Sequence, residues 1–212
     1  MALSAENQPS DPQPSDPQPF NARPSYPQAA SARPLIVVMG VSGVGKTTVA
    51  KLLAERLGVP YAEADDFHPA ANIAKMRAGI PLDDADRAPW LRALAGWLRD
   101  RGEAGTGGVV TCSALKRRYR DTLRAGCPAA FFLHLDGSRR LVAGRLALRT
   151  GHFMAPSLLD SQFALLEPLQ EDEYGAVLKL GARTPQELVE LAATLLRPGP
   201  GGPEAPGVSA AG

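Results

Sequence analysis

Cysteine is almost missing from this chain: Cys112 and Cys127 are the two it has in 212 residues. Two thiols supply no disulfide scaffold, and they fit a reduced, cytoplasmic interior. Histidine is as sparse. His68, His134 and His152 stand far apart without partners at ligand spacing, so zinc has no support. An excess of charge is missing too, since 23 Lys and Arg against 22 Asp and Glu leave a formal +1 with no long run of one sign. That balance argues against a nucleic-acid partner. Apolar runs are too short to cross a bilayer, which argues against a membrane partner. Proline and glycine, by contrast, are plentiful, at 20 and 21 residues, and eleven of the prolines lie in residues 1–33 and 198–212. Residues 1–33 hold seven prolines and repeat Ser10-Asp11-Pro12-Gln13-Pro14 as Ser15-Asp16-Pro17-Gln18-Pro19. Such a segment has too little apolar surface to offset its ordering entropy, and it lacks the features of a signal or transit peptide. It is expected to be a disordered leader, and residues 198–212 a disordered tail, around one folded domain at 34–197.

Within that domain the decisive stretch is Gly40-Val41-Ser42-Gly43-Val44-Gly45-Lys46-Thr47, followed by Thr48. Leu35-Ile36-Val37-Val38-Met39 before it reads as a buried parallel strand. Thr48 to Leu57 after it reads as a helix with Val49, Leu52, Leu53 and Leu57 on one face. A strand, a glycine-rich loop and a helix in this order form a phosphate-binding loop. The glycines let successive N–H groups turn inward around phosphates, and the helix directs its positive end at them. ATP or GTP is the expected ligand, with Lys46 reaching the β- and γ-phosphates and the Thr47 hydroxyl on Mg²⁺.

Strands and helices then alternate. Strands are expected at 61–64, 109–112, 129–135 and 177–180, with helices at 69–78, 89–99, 115–123, 138–149 and 157–166. A final helix begins after Thr184, where Thr184 and Glu187 make a capping box. Crossover-sized helices between short strands predict an α/β fold of the P-loop NTP hydrolase kind: a five-stranded parallel sheet with helices on both faces. Ligands should gather outside the carboxyl ends of the strands.

Strand two delivers Glu63, Asp65, Asp66 and His68 to that edge. A small-molecule kinase needs a carboxylate there to orient an acceptor hydroxyl and take its proton. Asp65 is the first choice and Asp66 the second; both could instead merely end a strand. Lys75, Arg77, Asp83, Asp84, Asp86, Arg87 and Trp90 follow with mixed charge suited to a polar acceptor, and the same charges would suit plain surface. The Asp-rich loop could also cap the helix at Pro89. Ser113 could contact ligand or cap the helix behind it, with Lys116, Arg117, Arg118, Tyr119 and Arg120 beyond. Arg145 and Arg149 share a helix face. Turned inward, they would neutralise the transferring phosphoryl group, and the Gly151-His152-Phe153-Met154 break beside them suggests a small lid that excludes water. For the metal, Asp136 at the end of Phe131-Phe132-Leu133-His134-Leu135 competes with the strand-two acids, which rank higher.

Read in order, the motifs are Asp65-Asp66-Phe67-His68-Pro69, Asn72, Lys75-Met76, Gly79-Ile80-Pro81-Leu82, Asp84, Asp86-Arg87 and Pro89-Trp90-Leu91. They continue as Cys112-Ser113-Ala114-Leu115-Lys116, Tyr119-Arg120, Arg145, Arg149, His152-Phe153-Met154, Leu158-Leu159-Asp160-Ser161-Gln162-Phe163 and Leu166-Glu167-Pro168. With the phosphate loop, this series resembles the gluconokinase family, P-loop sugar-acid kinases related to shikimate and adenylate kinases. The resemblance implies ATP-dependent phosphorylation of D-gluconate to 6-phospho-D-gluconate by a cytoplasmic enzyme, possible as a homodimer. It implies nucleotide contacts at Gly40, Ser42, Gly43, Val44, Gly45, Lys46, Thr47, Thr48 and Arg145. It implies gluconate contacts at Asp65, His68, Lys75, Arg87, Ser113, Lys116, Arg120 and Gln162, with Lys46, Asp65, Arg145 and Arg149 acting in catalysis. Ala64, where the family often has glycine, the leader and the glycine-rich 102–108 stretch depart from the pattern. A shikimate or nucleoside monophosphate kinase, or a nucleotide-binding regulator that senses a metabolite, are the competing readings.

Overall fold

The structure is a computed structural model, and it describes residues 33–148 and 156–196. Strand β1, Leu35–Met39, is buried along its whole length. Its alternating side chains divide between two cores: Ile36 and Val38 enter one, and Leu35, Val37 and Met39 enter the other. That is what a period of two does to an all-apolar strand covered on both faces. Around β1 the sheet runs β2-β3-β1-β4-β5, where β2 is Tyr61–Glu63, β3 Gly108–Thr111, β4 Phe131–Asp136 and β5 Gly175–Lys179. Every pairing is parallel. The expected five-stranded parallel sheet with helices on both faces is present.

Helices α1, Lys46–Leu57, and α7, Pro185–Leu195, cover one face through Val49, Leu53, Leu188 and Ala192. The other face is covered by α3, Asp84–Glu103, and α4, Arg117–Gly126, through Trp90, Leu91, Leu94, Leu98 and Leu123. Helices α2, Ala70–Arg77, α5, Arg139–Ala147, and α6, Pro156–Leu165, complete the chain order.

Most boundaries shift by a few residues from expectation, and three of the shifts bear on the site. Helix α3 begins at Asp84 and carries Pro89 inside it. The cap is Asp83, which accepts from the Asp86 amide at 2.8 Å while Asp86 accepts from the Asp83 amide at 3.0 Å. This reciprocal pair starts the helix five residues before the proline, which removes one amide donor to the preceding turn without ending the helix. Helix α4 starts late, with Lys116 at its cap position, so Ser113 is not the cap. Between them, Ala114 has φ +43°, the one positive φ outside glycine among the described residues. Strand β2 stops at Glu63 and tightens into a 3-10 turn, Ala64–Phe67, instead of running to Ala64. Residues 1–32 of the leader, the tail, Arg149 and the lid segment Gly151–Met154 lie outside the described residues.

Candidate active site

The carboxyl ends of β1, β2 and β3 open into a cavity of about 640 Å³. Its floor is the phosphate loop, which contributes Ser42, Gly43, Gly45, Lys46, Thr47 and Thr48. Glycine is needed at two turns of this loop for reasons of space as well as backbone. At Gly40, φ is +137° and a Cβ would lie 2.7 Å from the Leu135 carbonyl; at Gly43, φ is +87° and a Cβ would lie 2.7 Å from Leu146. Gly45, also left-handed, opens α1 directly under the cavity. Gly40 and Val44 do not line the cavity. Val44 is buried, and its carbonyl accepts from Arg145 Nη1 at 3.2 Å.

Lys46 Nζ donates to the Val41 carbonyl at 3.0 Å, so the ammonium stays against its own loop. Across from it, the β2 end supplies Glu63, Ala64 and Asp65 to the same wall. The two groups that the chemistry requires, a loop lysine and a strand-two carboxylate, therefore face one space. Asp66 does not line it. Glu63 accepts from the Tyr61 and Thr111 hydroxyls, directly across the β2–β3 pairing that aligns Glu63 with Thr111. Burial first, and the Glu63 carboxylate next, push the Tyr61 hydroxyl above its ordinary pKa, so it stays a hydrogen-bond donor.

The third wall comes from β3 and the turn after it: Thr111, Cys112 and Ser113. Burial pushes the Cys112 thiol up to about 12, which removes it as a nucleophile. The Ser113 carbonyl accepts from the Gly40 amide at 3.3 Å and links this turn to the phosphate loop. Arg145 and Leu146 from α5 and Gln162 from α6 close the remaining side. Gln162 Oε1 accepts from the Ser42 amide at 2.6 Å.

The expected acceptor contacts separate into groups. Asp65, Ser113 and Gln162 line the cavity. His68 reaches it indirectly, stacked on the cavity residue Trp90 with ring centroids 4.6 Å apart; the indole donates to the Ala64 carbonyl at 2.7 Å. Burial lowers the His68 pKa against the opposing pull of Asp65, with Arg87 lowering it further. Lys75 donates to Asp86 at 2.6 Å, which holds Asp86 below and Lys75 above their ordinary values. Arg87 lies 3.5 Å from the Tyr119 hydroxyl, and Lys116 lies 3.6 Å from Asp84. None of these three lines the cavity.

Arg120 needs correction as a substrate contact. Its side chain is wholly buried and makes a two-point pair with Glu173, at 2.6 and 2.9 Å. Its remaining donors go to the carbonyls of Ala114, Leu115, Glu167 and Pro168. With its hydrogen-bonding capacity filled inside the protein, the guanidinium braces the left-handed Ala114 turn and has no donor facing the cavity. Asp136 is set aside as the metal carboxylate by similar reasoning, since it pairs with Lys179 outside the cavity.

Sequence reasoning passed over Thr111 and Leu146. Thr111 had a usable signal, a hydroxyl at the end of a buried strand opposite Glu63. Leu146 had none, because its role is to fill the space above Gly43.

Among known proteins, the AAA domain family matches residues 35–168, more than half of the chain. A gluconokinase of Gluconobacter oxydans (strain 621H) is 56% identical over 138 residues, which are 65% of this chain and 78% of that protein. A sugar kinase from Janibacter sp. HTCC2649 superposes with a TM-score of 0.71 at 55% identity, covering 77% of this chain and 94% of that one. A gluconokinase from Sinorhizobium meliloti 1021 superposes with a TM-score of 0.69 at 43% identity, covering 77% of this chain and 91% of that one.

Proposed function

The chain belongs to the gluconokinase family and is an ATP-dependent kinase of gluconate, and from that premise we propose how its residues divide the reaction. The primary hydroxyl oxygen of gluconate attacks the γ-phosphorus as the bond to the bridging oxygen breaks. The products are 6-phosphogluconate and ADP. Asp65 orients that hydroxyl and accepts its proton; Lys46, the loop amides and Arg145 stabilise the charge spreading over the phosphoryl oxygens. Arg149 is assigned the same role as Arg145. Positioning carries most of the rate, without a covalent intermediate. The observation that carries this reading is the shared cavity of Lys46 and Asp65.

The oxygen donors of that cavity suit Mg²⁺, which favours hydroxyl and carboxylate ligands: the Thr47 hydroxyl would hold it, with the Glu63 carboxylate nearby. When bound, it would neutralise charge on the β- and γ-phosphates. Asp65 is then left for the alcohol. Ser113 and Gln162 meet the sugar acid inside the cavity, and His68, Lys75, Arg87 and Lys116 form the polar rim that receives its carboxylate end. Arg120 is omitted from that set. We assign the enzyme to the cytoplasm, consistent with its two free, buried cysteines, and the family resemblance makes a homodimer its candidate assembly.

An ADP-release assay across gluconate, shikimate, glucose and AMP tests the reading. Gluconate should stimulate turnover far above the others, and Asp65→Asn should lower kcat by about 10²–10⁴-fold while nucleotide still binds. ATP binding without stimulation by any acceptor would make the protein a regulator instead.

A further inference from the structure

The contact between Gln162 and the Ser42 amide has a consequence for how the two substrates meet. Ser42 begins the phosphate-binding turn, and both residues line the cavity. At 2.6 Å, the Gln162 carbonyl oxygen holds this amide where a phosphate oxygen would take it. One N–H does not serve two acceptors well, so a bound nucleotide has to displace the carboxamide. It can do so because a charged phosphate oxygen is the stronger acceptor.

Displacement does not require α6 to move. Leu159 is buried in the core and Phe163 packs against it. Arg139 Nε donates to Asp160 at 2.6 Å, tying α6 to α5. Beyond its end, the Glu167 amide donates to the Leu115 carbonyl at 2.8 Å. With the helix anchored at these points, rotation of the Gln162 side chain is the available response. Asp65, assigned above to the acceptor alcohol, lines the same cavity as Gln162.

We propose that Gln162 is a positioning residue shared by the two substrates: it occupies the Ser42 amide until nucleotide displaces it, and the released carboxamide then hydrogen-bonds a hydroxyl of the sugar acid. This rests on the gluconokinase reading. Nucleotide binding thus supplies part of the acceptor site, and by linkage each substrate strengthens binding of the other.

Calorimetric titrations of the full chain with a non-hydrolysable ATP analogue and with gluconate, separately and together, test this. In the wild type, gluconate should bind more tightly once the analogue is present. Gln162→Ala removes the competing acceptor, so the analogue alone should bind about fivefold tighter, and the gain for gluconate should vanish. Gln162→Glu should act in the opposite direction on nucleotide, because a carboxylate holds the amide more firmly and repels phosphate; the analogue should bind at least about tenfold more weakly. A merely structural role would move both variants the same way. Analogue affinity in Gln162→Ala equal to or below that of the wild type, or an undiminished gain for gluconate, would overturn the proposal. Failure of the kinase reading itself appears separately, as wild-type protein that releases no ADP with gluconate.

Discussion

His134 sits in β4 with 5% of its surface exposed, and burial lowers its pKa to about 4; Arg120 and Lys179 lower it further against an opposing pull from Asp136. The unfolded chain, with an ordinary imidazole near 6.5, binds a proton that the native protein refuses. The stabilisation is therefore complete above the unfolded value and is lost as pH falls from about 6.5 to about 4, up to about 3 kcal/mol. Urea unfolding at pH 7, 5.5 and 4.5 should show this slope in the wild type and a flatter one in His134→Gln; equal slopes would remove His134 as the cause. At this scale, sequence reading picks out Lys46 and Asp65, and the structure places both on one cavity. Sequence reading fails for Arg120, since an arginine buried against Glu173 looks in sequence like an arginine reaching for substrate.

Elements begin where their caps are, and the two capping boxes here differ in legibility. Thr184 and Glu187 form the Thr-x-x-Glu pattern, and the structure bears it out. Asp83 and Asp86 achieve the same reciprocal bonding with two aspartates, a pattern that does not stand out in sequence beside Pro89. Asp83→Ala should cost about 1 kcal/mol of stability, measured by chemical denaturation. Because Asp86 also holds Lys75, the same change should slightly raise KM for gluconate if Lys75 serves the rim. A full loss of folding would mean that α3 depends on this cap more than its buried Trp90, Leu91 and Leu94 suggest.

Across the whole molecule, the Arg120–Glu173 pair joins the turn after β3, the segment after α6 and the approach to β5. Glu173→Ala leaves a guanidinium charge buried without its partner and should cost about 3–5 kcal/mol. Arg120→Met combined with Glu173→Leu should recover part of that loss, and only part, because four carbonyls lose their donor. Equilibrium unfolding of both variants checks this, and a double variant less stable than Glu173→Ala would contradict it. The amino-acid sequence on its own determined the phosphate loop, the alternation of strands and helices and the parallel sheet, since each depends on short spacings set by backbone periodicity, and its ordered motifs carried the family resemblance. Only the tertiary structure decided which charged groups reach the cavity. Arg120 finds Glu173 across 53 residues and Gln162 finds Ser42 across 120, and no local spacing records which of many possible partners a folded chain brings within hydrogen-bonding distance.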